Sequence, residues 1–485
     1  MDNILRVAIA SGLKFPIMKI TNYDPIPLNT FGVFVGVERS DAHKLSKWPE
    51  NIHGCIGYWD PNYKYLDNKT IIEKIIDVAY DSTWTDDRRK YFKHLIYVDL
   101  YAKYKIYYMK NKIKKINSDT GVIIETNEIF DNKKYGLIVE NTKDKKQRAT
   151  YLPDVFPDES WAAIRSSLLG KASISNANDV IFYAYDCDIY SMTIADYFIK
   201  PIIEFINTNY VTFVPYMVNN NTVVSNKAED VRNLATMYDI LELRKFGYKV
   251  NKSVIDAIIN NIDYYKSKYL LNPKSMRQAS AFLVLNLHIT NPKDKTINII
   301  KDNFNEDLEL KHKVDSGIVS AISNPIDPNF ELGEILMALL IVDPYNSVVQ
   351  REINKISSIR EPNEMSDIDI FKYNWYSKSV HAMTNPSYKY QLLNNIVKYM
   401  DKYKINETNY LAVEFEALTT LYRNIDIEKN RLAIEPLISK LLINLESRRN
   451  PNGLYEFTDG TMRLDITGHV LNGFYALMKS YNDKN

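Results

Sequence analysis

A chain of 485 residues is too long for one ordinary hydrophobic core, so two domains are expected. Lys and Arg number 61 against 60 Asp and Glu, which excludes any global electrostatic pull towards nucleic acid or an anionic membrane. With only two cysteines, Cys55 and Cys187, a disulfide framework is excluded and a reducing interior is favoured.

The opening Met1-Asp2-Asn3-Ile4-Leu5-Arg6 lacks a basic stretch followed by a clean apolar run, so no secretory signal is read there. No uncharged apolar run reaches the roughly 18–20 residues of a membrane span. A cytoplasmic protein is expected, with no membrane and no nucleic acid as partner. Abundant Tyr (36) beside scarce Gly (15) reads as codon bias from an AT-rich genome, since the aromatics do not alternate along a basic strand.

In chain order, residues 4–14 predict a helix. Phe31, Val33, Val35 and Val37 alternate with Gly32, Phe34 and Gly36 and predict a strand against which something packs closely. Ile52 to Gly57 is a second strand, closed by Trp59-Asp60-Pro61. A helix is expected over 70–81 and strands over 94–102 and 135–141. The stretch from Ala149 to Ala172 runs from a strand into a helix, with Pro157, Asp158, Glu159 and Ser160 as capping residues before Trp161. A last apolar run ends near residue 190. Strands and helices interleave without a regular βαβ beat, so an α+β domain is expected over residues 1–194.

From 195 to 485 the pattern becomes helical: Val231, Leu234, Tyr238 and Leu241 begin a series that Val470, Phe474, Leu477 and Tyr481 close. No strand is read here. On the order of a dozen helices in hairpins fits a solenoid or a closed α/α toroid, and the lack of a fixed-period repeat favours the toroid.

Several ordered motifs of the first half carry a family resemblance. Gly32-Val33-Phe34-Val35 is followed by His53-Gly54-Cys55-Ile56-Gly57. Then come Gly136-Leu137-Ile138-Val139, Thr150 before Leu152-Pro153-Asp154-Val155, Trp161, and Lys171-Ala172. Residues 4–190 resemble the AMMECR1 family in this order. The resemblance implies an α+β fold of two subdomains with the Gly-Cys-Ile-Gly segment beside the cleft between them. It names no reaction. His53 stands where the family has an arginine, and Leu169-Gly170 where it has Cys-Arg, so functions resting on those residues do not carry over.

Cys55, between two glycines and two residues from His53, is either a reactive thiol, a ligand contact or a small buried core residue. His53, Gly54, Gly57 and Lys171 are candidate ligand contacts beside it. Asp186 and Asp188 flank Cys187 on opposite faces of an extended segment, and the seven histidines lack metal spacing, so no metal is expected. Glycines are too dispersed for a nucleotide fingerprint, and no cofactor is expected. In the helical half, the polar segment 453–469 runs straight into an apolar helix. Asp465 and His469, spaced i, i+4, share its face. Asp465 with Glu414 or Glu416 is a candidate acid/base set, with Tyr455, Arg463 and His469 as substrate contacts; the alternative is helix capping and packing.

Three functions follow. The first is a ligand-binding or interaction module for an unknown small molecule or protein. The second is an enzyme acting on a glycan or similar polyol from the toroid. The third is thiol-dependent chemistry at Cys55.

Overall fold

A computed structural model describes residues 2–17, 25–40, 52–84, 95–110, 113–156, 158–213, 217–219, 222–225, 229–270, 273, 276–358, 365–383, 386–424 and 428–482. They form two compact units: Met1–Ile96 with Tyr101–Ile194, and Tyr97–Leu100 with Ala195–Asn485.

The first unit is α+β. Strands β1 (Thr30–Glu38), β2 (Ile52–Trp59), β3 (Lys103–Lys110) and β10 (Cys187–Thr193) make an antiparallel sheet of order β10-β3-β1-β2. Helix α2 (Asn68–Trp84) packs on β1 and β2, and α1 (Asp2–Gly12) packs on α2. Ser82 ties helix to sheet: its hydroxyl donates to Val35 O (2.6 Å) and accepts from Ile56 N (2.9 Å). A second sheet has the order β6-β5-β4-β9-β7-β8. Its strands are β4 (Lys114–Ile116), β5 (Val122–Ile123), β6 (Glu128–Ile129), β7 (Gly136–Asn141), β8 (Arg148–Tyr151) and β9 (Val180–Tyr185). The short helical turn α3 (Leu95–Val98) precedes β3, and α4 (Trp161–Lys171) follows β8. Ser160 caps α4, its side chain accepting from Ala163 N, which satisfies one of the orphan donors of the first turn.

Two expectations are corrected here. The strand expected over 94–102 is not one from residue 95 on: Leu95–Val98 is helical and the strand begins at Lys103, while His94 lies outside the described residues. Ile96, Tyr97, Val98 and Leu100 are all buried, an apolar run interrupted only by the buried Asp99 and without a period of two. The true strand was disguised by its lysines, which alternate with Tyr104 and Ile106. The single apolar run near 190 is two strands, β9 and β10, one in each sheet, broken at Asp186.

The second unit is a closed ring of helices. Six inner helices are α6 (Asp230–Lys245), α8 (Arg277–Thr290), α10 (Glu331–Val342), α12 (Asp369–Ser379), α14 (Thr408–Asn424) and α16 (Leu464–Asn482). Each packs on the next, and α16 returns to α6. Alternating with them in sequence are α5 (Ile194–Asn209), α7 (Lys252–Tyr269), α9 (Lys295–Asp315), α11 (Ser347–Ser358), α13 (Pro386–Tyr403) and α15 (Glu428–Glu446), which gives an α/α toroid of helical hairpins. Inner helices such as α8 and α10 are buried nearly all round, as a helix with neighbours on every side must be.

The strand-free reading of this half needs one amendment. Strands β11 (Met217–Asn219), β12 (Thr222–Ser225) and β13 (Met462–Arg463) form a small sheet of order β12-β11-β13. Two-residue pairing is too short for a period to show in the sequence. Among the described residues, no helix is long and apolar enough to cross a membrane.

Candidate functional site

The toroid holds a cavity of about 430 Å³ lined by residues from the N-terminal ends and middles of all six inner helices. Aromatic rings from Phe282, Phe330, Phe371 and Trp375 form part of its wall. Phe282 and Trp375 meet edge to face at 6.1 Å, and Phe330 and Phe371 lie 5.4 Å apart. Set among these rings are the carboxyls of Asp239 and Glu334, each 3% exposed.

Among the described residues, each of these carboxyls has one amide neighbour and one oxygen without a hydrogen bond. Asn472 bonds to Asp239, whose Oδ1 has no partner; Gln278 bonds to Glu334, whose Oε2 has none. An ionised carboxylate in that setting would lose its hydration for too little in return. Burial therefore pushes Glu334 up to about 8. Burial, and then the neighbouring Glu416 charge, push Asp239 well above the carboxylate range. Glu334 therefore keeps its proton at pH 7, and the Asp239 carboxyl is shifted in the same direction.

Glu416 on α14 is the opposite case. Its side chain is fully buried, which by itself raises its pKa. The Lys378 ammonium (2.6 Å) and then the His469 Nδ1 contact (2.8 Å) outweigh that and hold it at about 2. Asn374 Nδ2 donates to the same carboxylate at 2.7 Å. Three helices thus converge on one charge: Asn374 and Lys378 from α12, Glu416 from α14, His469 from α16. A fourth closes the group, because Asp239 of α6 presses on Gly468. A Cβ on Gly468 would lie 2.5 Å from Asp239 Oδ2, so only glycine lets α16 approach α6 there.

Asp465 lines the cavity but is committed to ion pairs. Arg463 bonds it bidentately (3.1 and 2.5 Å) and Arg232 Nε stands 3.2 Å away. Arg463 is itself placed by β13, paired with Met217. Gly468, His469 and Arg463 line the cavity.

Glu414 and Tyr455 do not. Residues 414 and 416 are about 200° apart on a helix, so they cannot share a face. Glu414 is buried away from the cavity, where burial pushes it to about 8 with only the Lys440 charge opposing. The pairing of Asp465 with Glu414 is therefore corrected. Tyr455 is fully buried, and its hydroxyl donates to Glu446 Oε1 (3.1 Å) in a network with Arg449 and Tyr197; it is a core residue, not a substrate contact. The acids that sequence reasoning missed, Asp239 and Glu334, lie inside apolar helical stretches, Tyr238-Asp239-Ile240-Leu241 and Gly333-Glu334-Ile335-Leu336. A lone acid on a face otherwise wholly apolar was the available signal.

At the opposite ends of the inner helices a second cavity, of about 310 Å³, is lined by Glu242, Lys245, His288 and Lys479. Its carboxylate is already satisfied by both lysines, at 2.7 and 2.9 Å.

In the first unit Cys55 is exposed on β2, opposite Gly36 of β1. It is within electrostatic reach of Lys171, Tyr107 and Cys187. Lys171 donates to Thr150 O (2.9 Å) and sits 4.7 Å over the Tyr151 ring. Gly54 is buried in the strand opposite Val37. Gly57 is needed for packing: a Cβ there would fall 2.0 Å from the Phe34 ring. His53 belongs to β2, but its side chain lies outside the described residues. Asp188 pairs with Lys110 and Asp186 with Lys114 (3.9 Å), and no cluster able to hold a metal occurs among the described residues.

A four-stranded and a six-stranded sheet joined through β9 and β10, followed in the chain by an α/α toroid, define a protein of two domains. The first is an AMMECR1 domain: the AMMECR1 family model matches residues 4–192. No curated protein matches the chain.

Proposed function

We propose that the toroid is the catalytic part of this AMMECR1-domain protein and performs acid/base chemistry on a glycan or similar polyol. The observation that carries this reading is the pair of buried carboxyls, Asp239 and Glu334, which line one aromatic-walled cavity and each keep an oxygen with no hydrogen-bond partner among the described residues. Unpaired buried acceptors are costly, and they recur where a ligand supplies the missing partner. Hydroxyl groups complete such oxygens, aromatic faces cover the apolar faces of sugar rings, and a neutral carboxyl can protonate a departing oxygen. Two buried carboxyls lining one cavity weigh against a pure interaction role for this half. Asp239 is the acid in this reading, and Glu334 holds a substrate hydroxyl.

The test is saturation-transfer NMR and calorimetry of the full chain with a panel of neutral mono- and disaccharides, followed by p-nitrophenyl glycosides for turnover. Binding that weakens at least tenfold in Asp239→Asn and Glu334→Gln is expected. Absence of millimolar binding across the panel, or binding indifferent to both substitutions, would refute the reading.

The AMMECR1 domain is read as a recognition module for a small molecule or protein, because the exposed Cys55 and the Tyr107 ring both stand over Gly36 on one side of the sheet. Iodoacetamide labelling across pH separates this from thiol chemistry: labelling of Cys55 only at the alkaline pH of an ordinary thiol excludes an activated nucleophile.

A further inference from the structure

His469 stands out because it is not needed where it sits. The buried Glu416 carboxylate is already neutralised by Lys378 at 2.6 Å and hydrogen-bonded by Asn374 at 2.7 Å. A third partner adds nothing that charge balance requires. Yet His469 Nδ1 lies 2.8 Å from Glu416 Oε2, while the ring keeps 22% of its surface and lines the cavity. Its Nε2 makes no hydrogen bond among the described residues.

We propose that His469 is the general base of the toroid cavity and that Glu416 is its positioning residue. The inference rests on reading the cavity as an acid/base site for a glycan. A carboxylate clasped by an ammonium and an amide has no proton to give, so Nδ1 must donate and the lone pair of a neutral ring falls on Nε2. The carboxylate thereby selects the tautomer and fixes the ring plane, as the buried acid of a catalytic triad does. Gly468, packed on Asp239, brings the acid and this base to the same stretch of α16.

The chemistry balances as hydrolysis of an acetal. An O–H bond of a bound water breaks, its proton forms an Nε2–H bond, and its electron pair stays on the attacking oxygen. That oxygen bonds to the acetal carbon as the glycosidic C–O bond breaks, and Asp239 gives its proton to the departing oxygen. The site is left with an imidazolium and an Asp239 carboxylate, which reset by exchanging one proton through solvent.

The test uses the full chain labelled with nitrogen-15 histidine, in two-bond proton–nitrogen spectra at pH 8, with His469 assigned by subtraction in His469→Gln and His469→Asn. The Nδ1–H tautomer is expected for His469, and a tautomer mixture in Glu416→Gln. A structural contact would fix the same tautomer, so turnover decides the role: with a p-nitrophenyl glycoside from the panel the native chain should show an acid limb in its pH profile that His469→Gln abolishes, and a profile unchanged in His469→Gln overturns the base. Diethyl pyrocarbonate should acylate His469, and a bound saccharide from the panel should slow this at least fivefold. A proton on Nε2, or a ring inert to diethyl pyrocarbonate, overturns the assignment. If the tautomer and reactivity are as expected but no saccharide binds or protects, the base stands and the glycan reading falls. If saccharides bind in an Asp239-dependent way while Nε2 carries the proton, the glycan reading stands and the base falls.

Discussion

Glu334→Gln turns the buried acid of α10 into a probe of the toroid's pH dependence. In the folded chain burial holds Glu334 at about 8 against an ordinary 4.5. Between those values the folded state keeps a proton that the unfolded state has released, so stability falls as pH rises across this window. The displacement from 4.5 to about 8, at about 1.36 kcal/mol per pH unit, amounts to about 5 kcal/mol once the pH passes 8. Glutamine keeps the shape and the contact with Gln278 but has nothing to ionise. Scanning calorimetry from pH 5 to 9 should show the two proteins converging near pH 5. Near pH 8.5 the substituted protein should melt higher by roughly 10 °C, taking about 2 °C per kcal/mol for a unit this large. Melting curves that stay parallel across the range would refute the claim that Glu334 is a neutral buried acid.

Glu414→Gln should remove a similar part of the pH slope, since Glu414 is also held at about 8, yet leave saccharide binding unchanged because it does not line the cavity; calorimetric titration at pH 7 checks this. Lys378→Met strips the principal counter-charge from buried Glu416, and chemical denaturation should show a loss of about 3–5 kcal/mol. Gly468→Ala forces a methyl to within 2.5 Å of Asp239 Oδ2, for an expected cost of about 1–3 kcal/mol and weaker saccharide binding through the displaced acid. Tyr455→Phe deletes one buried hydrogen bond to Glu446 and should cost roughly 0.5–1.5 kcal/mol in melting experiments with no change in ligand binding.

The sequence carried the outline of both domains and one edge of the site. Asp465, Arg463 and His469 were visible because a polar loop runs directly into an apolar helix, and such a junction places side chains at a helix mouth. Glu414 and Glu416 were visible as a pair but not separable. Both flank Phe415, and only the packing of α14 between α12, α15 and α16 decides which faces the ring. Asp239 and Glu334 stayed hidden because periodicity reports apolar faces and treats an acid within one as noise. The lysines of β3 hid a buried strand for the converse reason: Lys103 and Lys105 belong to its more exposed face, while Tyr104 and Tyr108 are fully buried on the other.

Ring closure also sets a timetable. The Tyr475 hydroxyl donates to the backbone oxygen of Asp239, a contact spanning 236 residues, and Gly468 and Asn472 meet Asp239 from the same late helix. Contacts of that span are made last, after the entropy of a long loop has been overcome. On the ribosome, the acid of α6 therefore emerges more than two hundred residues before the helix that walls it in. The cavity is thus walled only once α16 is in place, and a chain that stops before residue 464 carries Asp239 without its Gly468 and Asn472 contacts.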